Sequence, residues 1–220
     1  MLNIDPGLSS KFPGLSARIT RINGVSVKKA DPSLEAFKKE VMEEVTALWK
    51  LDDLRDNASF RAYRDFFWRV KVDPTKSRPA AEALIRRILR GNPLPTINTL
   101  VDAYNLASVR TAIPLAAFDA GRLSGELVMR EARAGEEFLG IGMNSPIQLE
   151  GGEPVVQDAV RLIAVYPHRD ADHSKVTYGT SDIILMSCGV PGVSGETLES
   201  AEQVGVATII RFCGGSETKV

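Results

Sequence analysis

The chain has 220 residues, 44% of them apolar and 25% charged, and this ordinary globular mix excludes wholesale disorder. A formal charge of −1 excludes a histone-like polycation, so any contact with nucleic acid has to come from a local patch. No apolar run approaches the roughly 18–20 residues of a helical membrane span, and with His168 and His173 as the only imidazoles a three-histidine metal site is excluded.

Met1 to Ser10 shows neither a basic n-region nor an apolar h-region, so no secretory signal is expected and a cytoplasmic location is. Cys188 and Cys213 fit that reading as reduced core thiols. Residues 15–30 read as a hairpin: Leu15, Ala17, Ile19 and Ile22 roughly alternate with polar neighbours, Asn23-Gly24 is a favoured two-residue turn, and Val25 and Val27 resume the alternation. Asp31-Pro32 then predicts a capped helix to about Trp49, with Leu34, Phe37, Val41, Val45 and Leu48 at helical spacing.

Residues 55–90 hold ten basic and four acidic side chains, so this segment is +6 in a chain that is otherwise −7. It predicts two helices broken at Asp73-Pro74. Tyr63, Phe66, Phe67 and Val70 share one face of the first, and Arg61, Asp65 and Arg69 another. Pro79 opens the second, Ala81, Leu84, Ile85 and Ile88 line its apolar face, and Gly91 closes it. A further helix over 96–112 takes Thr96 as its cap. Beyond Pro114 the pattern turns to strands at 127–132, 154–156, 161–166 and 182–187, and Ser194 caps a last helix. The order predicts one α+β domain over 1–220, a sheet-rich core with flanking helices, rather than regular βαβ alternation.

Four features can carry chemistry. The basic, aromatic stretch from Phe60 to Arg69 supplies positive charge for phosphates and flat faces for bases, but a charged face is also what any surface helix shows. Asn98, Asp102 and Asn105 stack on one helix face, either lining a pocket or holding the helix to its neighbours. The segment Ile113 to Asp119 reads as buried core and a turn, with Ala116 and Ala117 as the alternative of a pocket wall. The polar loop His168 to Thr177 reads as a solvated hairpin loop or an active-site loop, and its spacing matches no metal signature. Walker, GxSxG, HExxH and paired CxxC motifs are missing, and neither a metal nor an organic cofactor is expected.

Phe60-Arg-x-x-Arg-x-Phe-Phe, Val72-Asp-Pro-Thr-Lys-x-Arg-Pro79, Leu94-Pro-x-Ile-Asn98, Val101-Asp-x-Tyr-Asn105 and Pro114-x-x-Ala-Phe-Asp119 occur in that order. Together with Ser181-Asp-Ile-Ile-Leu185 and Cys213-Gly-Gly215, they resemble the free-standing relatives of the editing (B3/4) domain of the phenylalanyl-tRNA synthetase beta chain, over about residues 12–215. The resemblance implies an α+β fold and hydrolysis, in trans, of the ester at the 3′ end of a mischarged tRNA. Such a reaction needs a held water and support for the oxyanion rather than a triad. It also implies a pocket lined by Asn98, Asp102, Asn105, Ala116, Phe118 and Asp119, with Asp172 or His173 closing over it. Catalytic residues stay unassigned. Arg61, Arg64, Arg69, Lys76, Arg78, Arg86 and Arg87 are expected to hold the tRNA backbone, and DNA and membranes are not expected partners. The synthetase domain usually carries a histidine where this chain has Ala116, and a Gly-Gly-Glu where it has Asp172, so tyrosine selectivity does not carry over directly. The alternatives are a non-catalytic module binding RNA, an amino acid or a protein, and an unrelated small-molecule hydrolase on the same scaffold.

Overall fold

The computed structural model describes residues 2–218. Strand β1 (Leu2–Ile4) leads into a short helix α1 (Pro6–Lys11), and β2 (Ala17–Asn23) follows. Helix α2 (Pro32–Leu48) starts where the Asp31 carboxylate accepts hydrogen bonds from the Ser33 and Leu34 amides, with Pro32 in the first turn. Helices α3 (Ala58–Arg69), α4 (Ala80–Leu89) and α5 (Thr99–Thr111) come next. Then β3 (Leu115–Asp119), β4 (Leu127–Glu131), β5 (Glu137–Phe138), β6 (Ile147–Gln148), β7 (Pro154–Gln157), β8 (Leu162–Val165), β9 (Arg169–Asp170) and β10 (Asp182–Cys188) build the sheets. Helix α6 (Gly195–Cys213), capped by Ser194 on the Thr197 amide, and β11 (Ser216–Thr218) complete the described chain.

Two sheets dominate. One runs β1-β4-β7-β8-β9 and the other β11-β2-β10-β3, with β5 and β6 forming a small separate pair. In the second sheet β10 is central, antiparallel to both β2 and β3. It is buried almost throughout, as an apolar run packed on both faces requires. Helices α5 and α6 pack together, and α6 also lies against β2 and β10. One large apolar cluster extends from Leu8 to Cys213 through both helices and strands, so the α+β expectation of a sheet-rich core with flanking helices holds.

Two local expectations are corrected. The hairpin at 15–30 does not form: β2 ends at Asn23, and its partners are β10 and β11, both distant in sequence. Val25 and Val27 are buried, but as part of an irregular segment whose Val25 amide donates to the Ser181 carbonyl. Gly24 takes φ 74°, a left-handed conformation that glycine tolerates, but the segment after it does not return along β2. The cap of α5 is Asn98, not Thr96. The Asn98 side chain accepts from the Leu100 and Val101 amides, while the Thr96 hydroxyl is recruited by Lys38 and Glu35.

The candidate functional site

A cavity of about 90 Å³ opens where the two large sheets meet. Ala116 and Phe118 of β3 form one wall, Met186 and Cys188 of β10 a second, and Ala164 of β8 with Asp170 of β9 a third. Ala80, the first residue of α4, reaches its edge. The wall is apolar except for Asp170 and the neighbouring His168-Arg169.

Asp170 is the group out of place. Its carboxyl is half-buried, and desolvation pushes its pKa up to about 7. Burial raises the pKa of the Tyr104 hydroxyl on α5 and of the Cys188 thiol, and the negative charge of Asp170 raises both further. Cys188 is therefore a thiol and no nucleophile. His168 is driven the other way, to about 4, by burial and then by Arg169. Its ring meets Phe67 edge-on at 6.1 Å and its Nδ1 is buried without a partner, so it stands neutral at physiological pH.

The polar stripe on α5 divides. Asn98 is spent on the helix cap. Asp102 is 3% exposed, accepting from the Ile97 amide at 3.0 Å and from the Lys38 ammonium at 3.0 Å. Lys38 is equally buried and also donates to Glu35, Thr96 and the Pro95 carbonyl. Burial raises the Asp102 pKa, and the Ile97 amide and Lys38 only partly offset it. Asn105 sits half-buried on the same helix, beside Tyr104. Asp119 accepts from the Thr180 hydroxyl at 2.6 Å and the Gly121 amide, so it closes a turn.

The loop after β8 departs from expectation in a specific way. Asp172 pairs with Lys175 at 2.6 Å, and the Nε2 of His173 lies 2.9 Å from the Leu162 carbonyl, which fixes the proton on that nitrogen. Neither lines the cavity; Asp170 does. Sequence reasoning passes over Asp170 and Tyr104. The available signal is an aspartate in a short strand flanked by apolar segments.

The basic segment also sorts into two classes. Arg64 and Arg86 converge on Glu82, which is fully buried. Burial pushes the Glu82 carboxyl up, but hydrogen bonds from the two guanidiniums outweigh it and hold its pKa below the ordinary value. Arg64 thus ties α3 to α4 through Glu82, while Arg86 braces the same carboxylate from within α4 and also borders the basic depression beside Lys76 and Arg78. Lys76, Arg78, Arg87 and Arg90 are exposed around a surface depression of about 280 Å³. Arg61 and Arg69 border a second of about 390 Å³. Arg69 stacks over Phe12 at 4.9 Å and donates to the Lys11 carbonyl. Tyr63, Phe66 and Phe67 are core, whereas Trp68 is 55% exposed among these cations.

Among the described residues no cluster of three or more His, Cys, Asp or Glu is arranged to hold a metal ion, and no helix is long and apolar enough to cross a membrane.

Residues 62–209 match the profile of the B3/4 domain. The phenylalanine–tRNA ligase beta subunit of Chromobacterium violaceum is 31% identical over 168 residues, which cover 76% of this chain and 21% of that protein. Its counterpart in Bdellovibrio bacteriovorus is 24% identical over 203 residues, 92% of this chain and 24% of that protein. The chain thus spans about a fifth to a quarter of these relatives. An N-terminal fragment of the phenylalanyl-tRNA synthetase beta subunit from Pyrococcus horikoshii superposes with a TM-score of 0.53 at 12% identity, covering 99% of this chain and 50% of that one, which shows a shared fold. A profile match over most of the chain, with the matching α+β architecture, establishes that this protein belongs to the B3/4 domain family.

Proposed function

We propose that this B3/4 domain binds the charged 3′ end of a tRNA and hydrolyses its aminoacyl ester in trans. The observation that carries the reading is an unpartnered carboxyl, Asp170, in an otherwise apolar cavity reached by the first residue of α4, the helix whose exposed side is basic. A half-buried carboxyl with no hydrogen-bond partner in an apolar wall is a place for a donor from a ligand. An aminoacyl group brings such donors, and its RNA brings the phosphates that Lys76, Arg78 and Arg87 would neutralise. The ester is already activated. A water held beside the carbonyl and hydrogen-bond donors for the oxyanion suffice to cleave it, the hydroxyl of water replacing the ribose oxygen at the carbonyl carbon and the proton passing to that oxygen. The Tyr104 hydroxyl of α5, close enough to Asp170 to feel its charge, is a candidate donor.

The combined variant Lys76→Ala, Arg78→Ala, Arg87→Ala should weaken tRNA binding and lower the slope of log Kd against log salt by about 2–3, near one for each phosphate left without its cation. Arg64→Ala should leave that slope unchanged and lower stability instead, because it uncovers Glu82. Deacylation of a charged tRNA should slow in the combined variant, while hydrolysis of the same amino acid's ethyl ester should not. Equal slopes in the combined variant and the wild type would remove the basic face from the account.

A further inference from the structure

We infer that the cavity reads a small side chain bearing a hydroxyl, of serine or threonine size, and turns away aromatic ones; this rests on the cavity receiving the aminoacyl end of a charged tRNA. Size comes first. The cavity holds about 90 Å³, whereas a benzene ring occupies an engineered protein cavity of roughly 150 Å³. A phenol ring would have to push the walls back, and the walls are tied down. Ala116 faces Met186 and Phe118 faces Ile184 across the β3–β10 ladder. Phe118 and Met186 are each 1% exposed. Tyr166, on the third side, donates its hydroxyl to the Gly189 carbonyl at 2.6 Å and to the Ser16 carbonyl at 3.1 Å. Widening the cavity means repacking the buried Phe118 and Met186 side chains or breaking the Tyr166 hydrogen bond.

Chemistry comes second. Ala116, Phe118, Ala164 and Met186 offer nothing polar, so a side chain lodged among them would meet the Asp170 carboxyl as its charged acceptor, with the unpartnered ring of His168 beside it. A hydroxyl at the end of one or two carbons supplies a donor within that volume. A methyl of alanine leaves the carboxyl unpaired, a carboxylate side chain repels it, and the four-carbon stem of lysine is too long. The α-ammonium is common to all aminoacyl groups and confers no choice among them.

The test uses adenosine carrying a 3′-amide in place of the ester, acylated with serine, threonine, alanine or tyrosine, and measures binding to the whole protein by calorimetry. These compounds cannot be hydrolysed, so the result is independent of whether the protein is a hydrolase. The seryl or threonyl amide should bind about tenfold or more tighter than the alanyl amide, and the tyrosyl amide more weakly than either. Asp170→Ala should abolish the seryl-over-alanyl preference. The near-isosteric Asp170→Asn should reduce it and guards against a folding defect in the alanine variant. Equal binding of seryl and alanyl amides, tyrosyl binding as tight as seryl, or no binding of any amide would each overturn the proposal. Tight seryl binding with no loss of ester from charged tRNA would instead keep the pocket assignment and remove the hydrolysis.

Discussion

Asp170→Asn is expected to leave the protein folded and to make it more stable than the wild type above pH 7, with almost no difference at pH 4. The wild-type carboxyl titrates near 7 when folded, against an ordinary value of 3.8. Between those two values the folded protein holds a proton that the unfolded chain has released. Stability therefore falls as pH rises through this window, and the full cost is present above pH 7. Full burial would cost about 1.4 kcal/mol per pH unit. Asp170 is only half-buried, and the solvent that reaches it reduces the gain from the amide to on the order of 2 kcal/mol. Thermal melts of the two proteins from pH 4 to pH 8.5 should diverge progressively between about pH 4 and pH 7. Parallel melting curves would mean that the carboxyl is solvated or paired in solution. A charge kept at such a cost is what a binding group looks like before its ligand arrives.

Lys38→Met should cost about 3–5 kcal/mol, the largest stability loss expected from a single side chain outside the apolar core. The ammonium is the common donor for Asp102, Glu35, Thr96 and the Pro95 carbonyl, all gathered where α2 meets the start of α5. Removing it strands the Asp102 carboxylate, which is 3% exposed and retains only the Ile97 amide. Asp102 would then protonate at higher pH, so the variant should regain part of the loss in mildly acidic buffer. Adding Asp102→Leu should restore most of the stability, since an apolar pair of similar volume removes the desolvation cost of both charges. Urea denaturation of the single and double variants measures this directly. A single variant within about 1 kcal/mol of the wild type would show that the pair is hydrated.

The sequence made the helices legible because their signals are local. Asp31-Pro32 before α2 and Ser194 before α6 are caps whose partners lie two or three residues away. What it could not show was pairing at long range. The hairpin expected at Asn23-Gly24 does not form because β2 is satisfied by β10, more than 150 residues away, and the turn residues cannot report that competition. The same limit applies to the basic segment: Arg64 and Arg86 read like Arg78 and Arg87 until Glu82 is placed between them. Ala116 and Phe118, singled out by the family resemblance, do line the cavity, whereas the carboxyl on its wall is Asp170 and not Asp172. Along β9 a side chain's direction depends on its parity, and the turn at Asp172–Ser174 then swings Asp172 onto Lys175. The two aspartates share a parity, so it is the end of β9 at Asp170, with the turn that follows, that separates them.

Ester loss from charged tRNA tests the central claim most directly. The whole protein, in excess, would be incubated with labelled tRNAs charged with correct and incorrect amino acids, and the surviving ester followed against its spontaneous decay. The account predicts loss well above that background, confined to one or a few species and abolished or redirected by Asp170→Ala. Survival of every ester at the spontaneous rate, with a protein that melts cooperatively, would contradict it and leave a B3/4 domain that binds without cleaving.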